Sequence, residues 1–529
     1  MADLSTFYQQ SYDGGLNDTA SSYEIARNEA SILRNWDITY QGQLRRRDGL
    51  TLTGASISAN PITGLAPFIR NAGSDLLATE ATNLYFVAGS SWTQIANNLT
   101  NTAGLTFWME NVQSLGKIFI GNEDNNLQSW DRASTTLNTC LTDLGAAVPH
   151  GNVQKWFENY MFSMNNVNVS GTKYPNRIYI SALGDPTTWT TATDYIDVPG
   201  DGRVITAIAA GATTSSDVLL IFKERAILVL TGYGISTWKI TVSNNATFGV
   251  DTELGCVAPR GVVRVDDDIW FIDSQAQIRK LVRTPYGAVA DGGIISTKIR
   301  TTLAGLNQSQ LALTSAWYHA NKVYFAFPNG TDTHNSIVCV FDMIAAARSQ
   351  AESWTIYTGW TPSMFCGTIS SGQPTLYLGD GTTGNVYKHT GSDDNGTAID
   401  ARWDGKDDYY DKPERYKRYK FGYIRATSGS TNSSINTYGS VDGGPFAQFE
   451  SLSLIATGSH LGPTGTFTLG PTGTATLGGS TTNTQKFFFT TGGGTSKGRS
   501  VKLSLRHAVV AQKPTVNTFS THYKLRSLR

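Results

Sequence analysis

Two carboxylate clusters stand out as groups that could do chemistry, Asp266-Asp267-Asp268 and the run from Asp404 to Asp411. A glycosidase needs two carboxyls at a defined separation, and a calcium loop needs acids at fixed offsets around a glycine. Neither cluster shows either pattern, so both read as solvated acids in β turns. The seven histidines lack metal-ligand spacing. Cys140, Cys256, Cys339 and Cys366 lie far apart without a C-x-x-C pair, which predicts buried, reduced thiols rather than disulfides or a zinc site. Gly492 to Gly498 is glycine-rich, but Lys497 is misplaced for a phosphate cradle. The expectation is a protein that is not an enzyme, with no catalytic, cofactor-binding or metal-ligating residue to name and no cofactor.

The elements that would position any such groups are β-strands. The chain has 529 residues, 53 of them glycine, and 11% aromatics, which suits many short strands joined by tight turns. Apolar runs recur at Leu84-Tyr85-Phe86-Val87, Ile118-Phe119-Ile120, Tyr160-Met161-Phe162, Leu219-Leu220-Ile221-Phe222, Ile269-Trp270-Phe271-Ile272, Val323-Tyr324-Phe325 and Leu376-Tyr377-Leu378. Their starts are 34, 42, 59, 50, 54 and 53 positions apart, the scale of propeller blades at about 40 to 50 residues each. Polar turns such as Gly379-Asp380-Gly381 lead most runs into a second short strand, the signature of hairpins.

The fold expected is mainly β: an N-terminal arm and short helix over 1–59, a β-propeller-like domain of six or seven blades over 60–395, and a C-terminal β-sandwich-like domain over 396–529. The helix is placed from Tyr23 to Asn35, because Ser21 and Glu24 have capping-box spacing and Ile25, Glu29 and Leu33 recur at helical period. In the last domain a Gly/Thr/Pro-rich loop spans 456–484, with an octapeptide repeat from Leu461 to Thr476 that buries too little to form a core. Arg402 to Phe421 mixes cations with tyrosines. It reads as a nucleic-acid face or as an amphipathic strand with solvated cations, and the acids at Asp407, Asp408, Asp411 and Glu414 favour the strand. Met1-Ala2-Asp3-Leu4-Ser5-Thr6 opens without a basic n-region, and no run of about 18 apolar residues could span a bilayer. The expectation is a chain made in a cytoplasm.

One stretch resembles a known family. Gly14-Gly15-Leu16-Asn17, then Asn28-Glu29-Ala30, Arg34-Asn35 and the turn from Gly42 through Leu44 and Arg47 to Gly49 are similar to the N-terminus of nozzle, or tail tubular, proteins of short-tailed bacteriophages. Asp48 departs from the family, whose members often carry proline there. Asn176-Arg177-Ile178-Tyr179-Ile180-Ser181 before Gly184-Asp185-Pro186-Thr187-Thr188-Trp189 resembles that family's blade edge, and Phe248-Gly249-Val250 with Gly255 to Pro259 resembles its next unit. The resemblance implies a virion structural protein, a homohexameric ring below the portal and adaptor, carrying tail fibres and enclosing a channel for genome retention and ejection. It implies synthesis in the bacterial host and a place in the virion tail, with double-stranded DNA passing transiently and unspecifically. Arg45 to Arg47 would be a candidate ring-to-ring contact. The alternative is a carbohydrate-recognising or glycan-cleaving propeller of a phage tail.

Charge supplies a test. Lys+Arg and Asp+Glu both total 42, a formal charge of zero. Tight DNA binding draws on replacing condensed counterions with Lys and Arg, and this chain has no such excess. The purified protein is therefore expected to retain duplex DNA no better than a neutral control protein in moderate salt. Salt-sensitive micromolar retention in a filter assay would contradict this.

Overall fold

In the computed structural model of the chain, residues 4–526 are described except for 72, 88, 90, 103, 200–201, 213–216, 243–253, 284–288, 371, 430, 455–466, 469–473, 476–481, 492–493 and 496. Antiparallel units follow one another at 62–96, 108–143, 153–197, 205–242, 262–294, 315–358 and 362–389. Six of them are sheets of their own, a six-blade β-propeller arrangement, while the unit at 315–358 is one end of a nine-stranded sheet. The inner strands Ile62–Arg70, Trp108–Val112, Val153–Phe157, Ile205–Ala212, Val262–Val265, Ser315–His319 and Pro362–Ser370 each pack on the next. The last packs on the first, so the nine-stranded sheet lends the ring one further blade, sixth of seven in chain order.

The apolar runs of the sequence fall one to a blade. Six occupy the second strand, as Tyr160–Met164 and Lys322–Pro328 do, where both faces are buried and continuous apolar sequence is favoured. In the first blade the run sits on the third strand, Asn83–Val87, because the second, Gly73–Glu80, carries Leu76-Leu77-Ala78 instead. That displacement accounts for the short first spacing.

The last blade has three strands from its own stretch. Its outer strand is Leu50–Leu52, which pairs antiparallel with Val386–His389. A segment more than 300 residues upstream thus closes the ring.

The helix expected from Tyr23 to Asn35 does not form. Glu24 and Ile25 donate to the Ser21 carbonyl, giving a single turn, after which the chain extends as Glu29–Ala30, Ile32–Arg34 and Trp36–Ile38. Tertiary partners take the groups a helix would use. The Glu29 carboxylate accepts from the Ala26 N–H at 2.8 Å and from Asn17 at 3.0 Å and pairs with Lys298 at 2.7 Å. Ser31 N–H donates to the Asp404 carbonyl, and Asn35 N–H to that of Ile356. A helix this short is marginal in water, so these partners win.

Residues 401–526 build a β-sandwich with the N-terminal strands. One layer is the seven-stranded sheet centred on Lys417–Thr427 and Thr515–Leu525, which also takes up Ser5–Gln9, Trp36–Ile38 and Leu44–Arg46. The other is the far half of the nine-stranded sheet, ordered Ile32–Arg34, Ala401–Asp408, Val501–His507, Ser433–Val441, Ala447–Leu454. Trp403, Tyr419, Ile424, Leu452, Phe487, Leu505 and Phe519 fill the space between. Ile32–Arg34 pairs on one side with Trp354–Thr358 of the propeller and on the other with Ala401–Asp408, so one sheet runs through both units. Most of the octapeptide repeat lies outside the described residues, though Phe467–Thr468 pairs antiparallel with Thr474–Ala475. Phe248-Gly249-Val250 also lies outside them. Among the described residues no helix is long and apolar enough to cross a membrane.

The junction yields a pH prediction. Asp37 is buried, paired with Lys322 at 2.6 Å and accepting from the Tyr357 hydroxyl. Burial alone would raise its pKa; the Lys322 ammonium and the Tyr357 hydroxyl override that and hold it down at about 2. The folded value lies below the unfolded one of about 3.9, so its stabilisation is complete above about pH 4 and is lost as pH falls toward 2. Asp37→Asn is expected to destabilise the protein at pH 7 by about 3 kcal/mol, since Lys322 loses its partner. It should also remove about 2 kcal/mol of the fall in stability between pH 4.5 and 2. Urea unfolding of both proteins across that range measures this.

Candidate functional site on the propeller axis

The motif that carries the family resemblance is spent on the junction. Gly15 has φ +65°, and a Cβ there would lie 2.7 Å from the Trp354 nitrogen. Gly49 is equally confined, its would-be Cβ 1.9 Å from the Asp393 carbonyl oxygen. Asn35, also at positive φ, donates to Thr358 Oγ1 and the Asp400 carbonyl and accepts from Thr358 N–H and Arg47 Nε. Arg34 pairs with Asp400. Arg47 has no exposed side-chain surface. It pairs with Asp394 at 2.6 Å, donates to the Thr358 carbonyl at 3.0 Å and lies over the Trp360 ring at 4.8 Å.

Arg45 to Arg47 is therefore not the exposed contact turn expected from the sequence. Arg45 alone is exposed. Arg46 is fully buried beside Arg47, donates to the Val509 carbonyl, and is pulled down to about 10 by burial and by its neighbour's charge. Asp48, where the family often has proline, pairs with Lys513.

Asp404, Asp407 and Asp408 are not the solvated turn acids expected from the sequence: they are buried on the strand Ala401–Asp408, where cations pair with two of them. Asp404 pairs with Arg402, and Asp408 and Asp411 pair with Arg27 at 2.7 and 2.8 Å. Asp266 occupies a positive-φ turn whose carbonyl accepts from Arg264. In Lys417–Thr427 the expected alternation holds up to Tyr419 and then breaks at a bulge, which leaves Phe421 on the outer face beside His522 at 4.7 Å. Lys417 is not solvated as expected. It is buried, and its Nζ donates to the carbonyls of Lys412, Arg415 and Arg499 at 2.6, 3.1 and 2.8 Å. The four cysteines are free thiols, three of them buried, and burial pushes Cys256 up to about 12. Among the described residues no three His, Cys, Asp or Glu side chains converge as a metal site would require.

The axis of the propeller holds a cavity of about 650 Å³ to which all seven blades contribute. Leu65 to Pro67, Ile208 to Ala210, and Phe365 with Cys366 give it apolar walls. Trp108, Trp317 and Tyr318 add partly exposed rings. Gly367 makes room for one of them, since a Cβ there would stand 3.0 Å from Trp317 Nε1.

Arg260 reaches across this space. Its own carbonyl accepts from Ala316 N–H beside the sixth blade, and its guanidinium donates from Nη2 to the Phe107 carbonyl at 2.6 Å, next to the second blade. It lies 5.5 Å from the Trp108 ring. Burial, with no carboxylate among the described residues to offset it, pulls its pKa down to about 10, so it stays charged at neutral pH. Glu110 is committed to Lys155 at 2.7 Å and to Trp156 N–H at 3.0 Å. Trp108 Nε1 and Asn111 Oδ1 are buried without a partner. The cavity thus offers a cation with spare donors and aromatic faces.

Nothing in the sequence pattern singled out Arg260, Trp108 or Asn111, because they lie on or beside inner strands that come together only when the ring closes. Residue type alone gave no signal, since other inner strands also carry bulk and charge, as Lys155, Trp156, Arg264 and Trp317 do.

No family model matches the chain, and no curated protein matches it. Among solved structures the chain is similar to YCF48 bound to a D1 peptide, with a TM-score of 0.36 and 11% identity over 64% of this chain and 98% of that one. It is also similar to BBS1N in complex with ARL6DN, with a TM-score of 0.39 and 11% identity over 65% of this chain and 97% of that one.

Proposed function

We propose that this chain is the nozzle protein of a short-tailed bacteriophage tail, a structural subunit that forms a homohexameric ring below the portal and adaptor. The ring encloses a channel through which double-stranded DNA is retained and ejected, and its outer surface carries the tail fibres. The observation that supports this reading is the use made of the N-terminal motif. Gly14 to Asn17, Glu29, Arg34, Asn35 and Arg47 engage in packing the propeller against the sandwich. Two units joined through one continuous sheet resist hinge motion, which a pressure-bearing ring subunit needs. The lack of net positive charge agrees with a wall along which DNA slides without being held.

Mass photometry and cryo-EM of the purified full-length chain test the assembly. Six copies around an axial pore wide enough for duplex DNA are expected, either alone or on addition of the adaptor ring. A monomer or trimer that stays so with the adaptor present would overturn the reading.

A further inference from the structure

We propose that the axial cavity of each propeller is a binding site for a sugar acid, a monosaccharide-sized ligand with one carboxylate and several hydroxyls. This goes beyond the assembly role above, because it rests on the cavity alone and applies whatever ring the subunit forms.

Three observations point to that ligand class. The first is Arg260, which donates one N–H to the protein, to the Phe107 carbonyl, and whose remaining N–H groups have no protein acceptor among the described residues. A guanidinium presents its donors as a planar fork that matches a carboxylate with two parallel hydrogen bonds. The second is charge: among the cations that line the cavity, Lys155 pairs with Glu110 at 2.7 Å and Arg264 with Asp267 at 3.9 Å, which leaves Arg260 without a carboxylate partner among the described residues. The third is the partly exposed rings of Trp108, Trp317 and Tyr318, which suit the apolar C–H face of a pyranose. About 650 Å³ lies within the roughly 300 to 1,000 Å³ usual for small-ligand pockets, and fits a hexuronic or nonulosonic acid.

Titration of the full chain, followed by tryptophan fluorescence and calorimetry, tests the assignment. The probes are glucuronate, galacturonate and N-acetylneuraminate, each beside a neutral counterpart of the same ring (glucose, galactose, the neuraminate methyl ester), with N-acetylaspartate as a carboxylate lacking hydroxyls. At least one sugar acid is expected to saturate with a Kd of about 1 mM or tighter, quenching tryptophan emission, with its neutral counterpart at least tenfold weaker. Arg260→Gln should weaken that acid at least tenfold, and Arg260→Lys should weaken it less. If Arg260→Gln does not fold, Asn111→Asp puts a negative charge in the cavity and should weaken the acid while leaving the neutral counterpart nearly unchanged. The proposal is overturned if no sugar acid binds below about 10 mM, if acid and neutral sugar bind alike, if N-acetylaspartate binds as tightly as the best sugar acid, or if the variants bind it as the parent does.

Discussion

A buried guanidinium governs how this molecule is put together. Arg47 has no exposed side-chain surface, and its charge is tolerable only because Asp394, the Thr358 carbonyl, Asn35 and the Trp360 ring surround it. Removing one partner from such a pair strands the other charge in a poor solvent, at a cost of about 3–5 kcal/mol. The partners come from three parts of the chain: the N-terminal segment, the sixth blade and the stretch that follows the seventh. The pair is satisfied only when propeller and sandwich are both in place, so it enforces their registration.

Ring closure obeys a related constraint. A propeller must join its first and last strands, and here the joining strand is Leu50–Leu52, supplied by the segment that also holds Arg47. Three residues before it, the chain is fixed at the junction; three residues after it, the first blade is still to begin. Closing the ring and fixing the sandwich are therefore one event for this segment. The entropy of closing so long a loop is met once, since that cost grows only slowly with length.

The axial cavity follows from the same geometry. Seven inner strands leave a space that small residues cannot fill, and Arg260 crosses it to the Phe107 carbonyl. Its charge is retained in a confined space without a carboxylate among the described residues to balance it. Unlike Arg47, whose donors are met within the fold, Arg260 keeps donors turned to a space that a ligand can enter. The contrast separates a cation that serves the architecture from one available for recognition.

By itself the sequence determined the β class, a repeat on the scale of six or seven modules, and the hairpin turns. Those rest on local chemistry: buried second strands demand runs such as Ile269-Trp270-Phe271-Ile272, and tight turns demand glycine and Asx residues. It misled at Tyr23 to Asn35, where helical periodicity was real but weaker than the partners waiting at Lys298, Asp404 and Ile356. It misled again at Arg46, Arg47 and Lys417, because a charged residue reads as solvated until something buries and pairs it. Only the tertiary structure decided that residues 50–52 complete a blade, that one sheet spans both units, and that Arg260, Trp108 and Asn111 share a cavity. Each joins residues dozens to hundreds of positions apart, and no local pattern encodes which distant strands will meet.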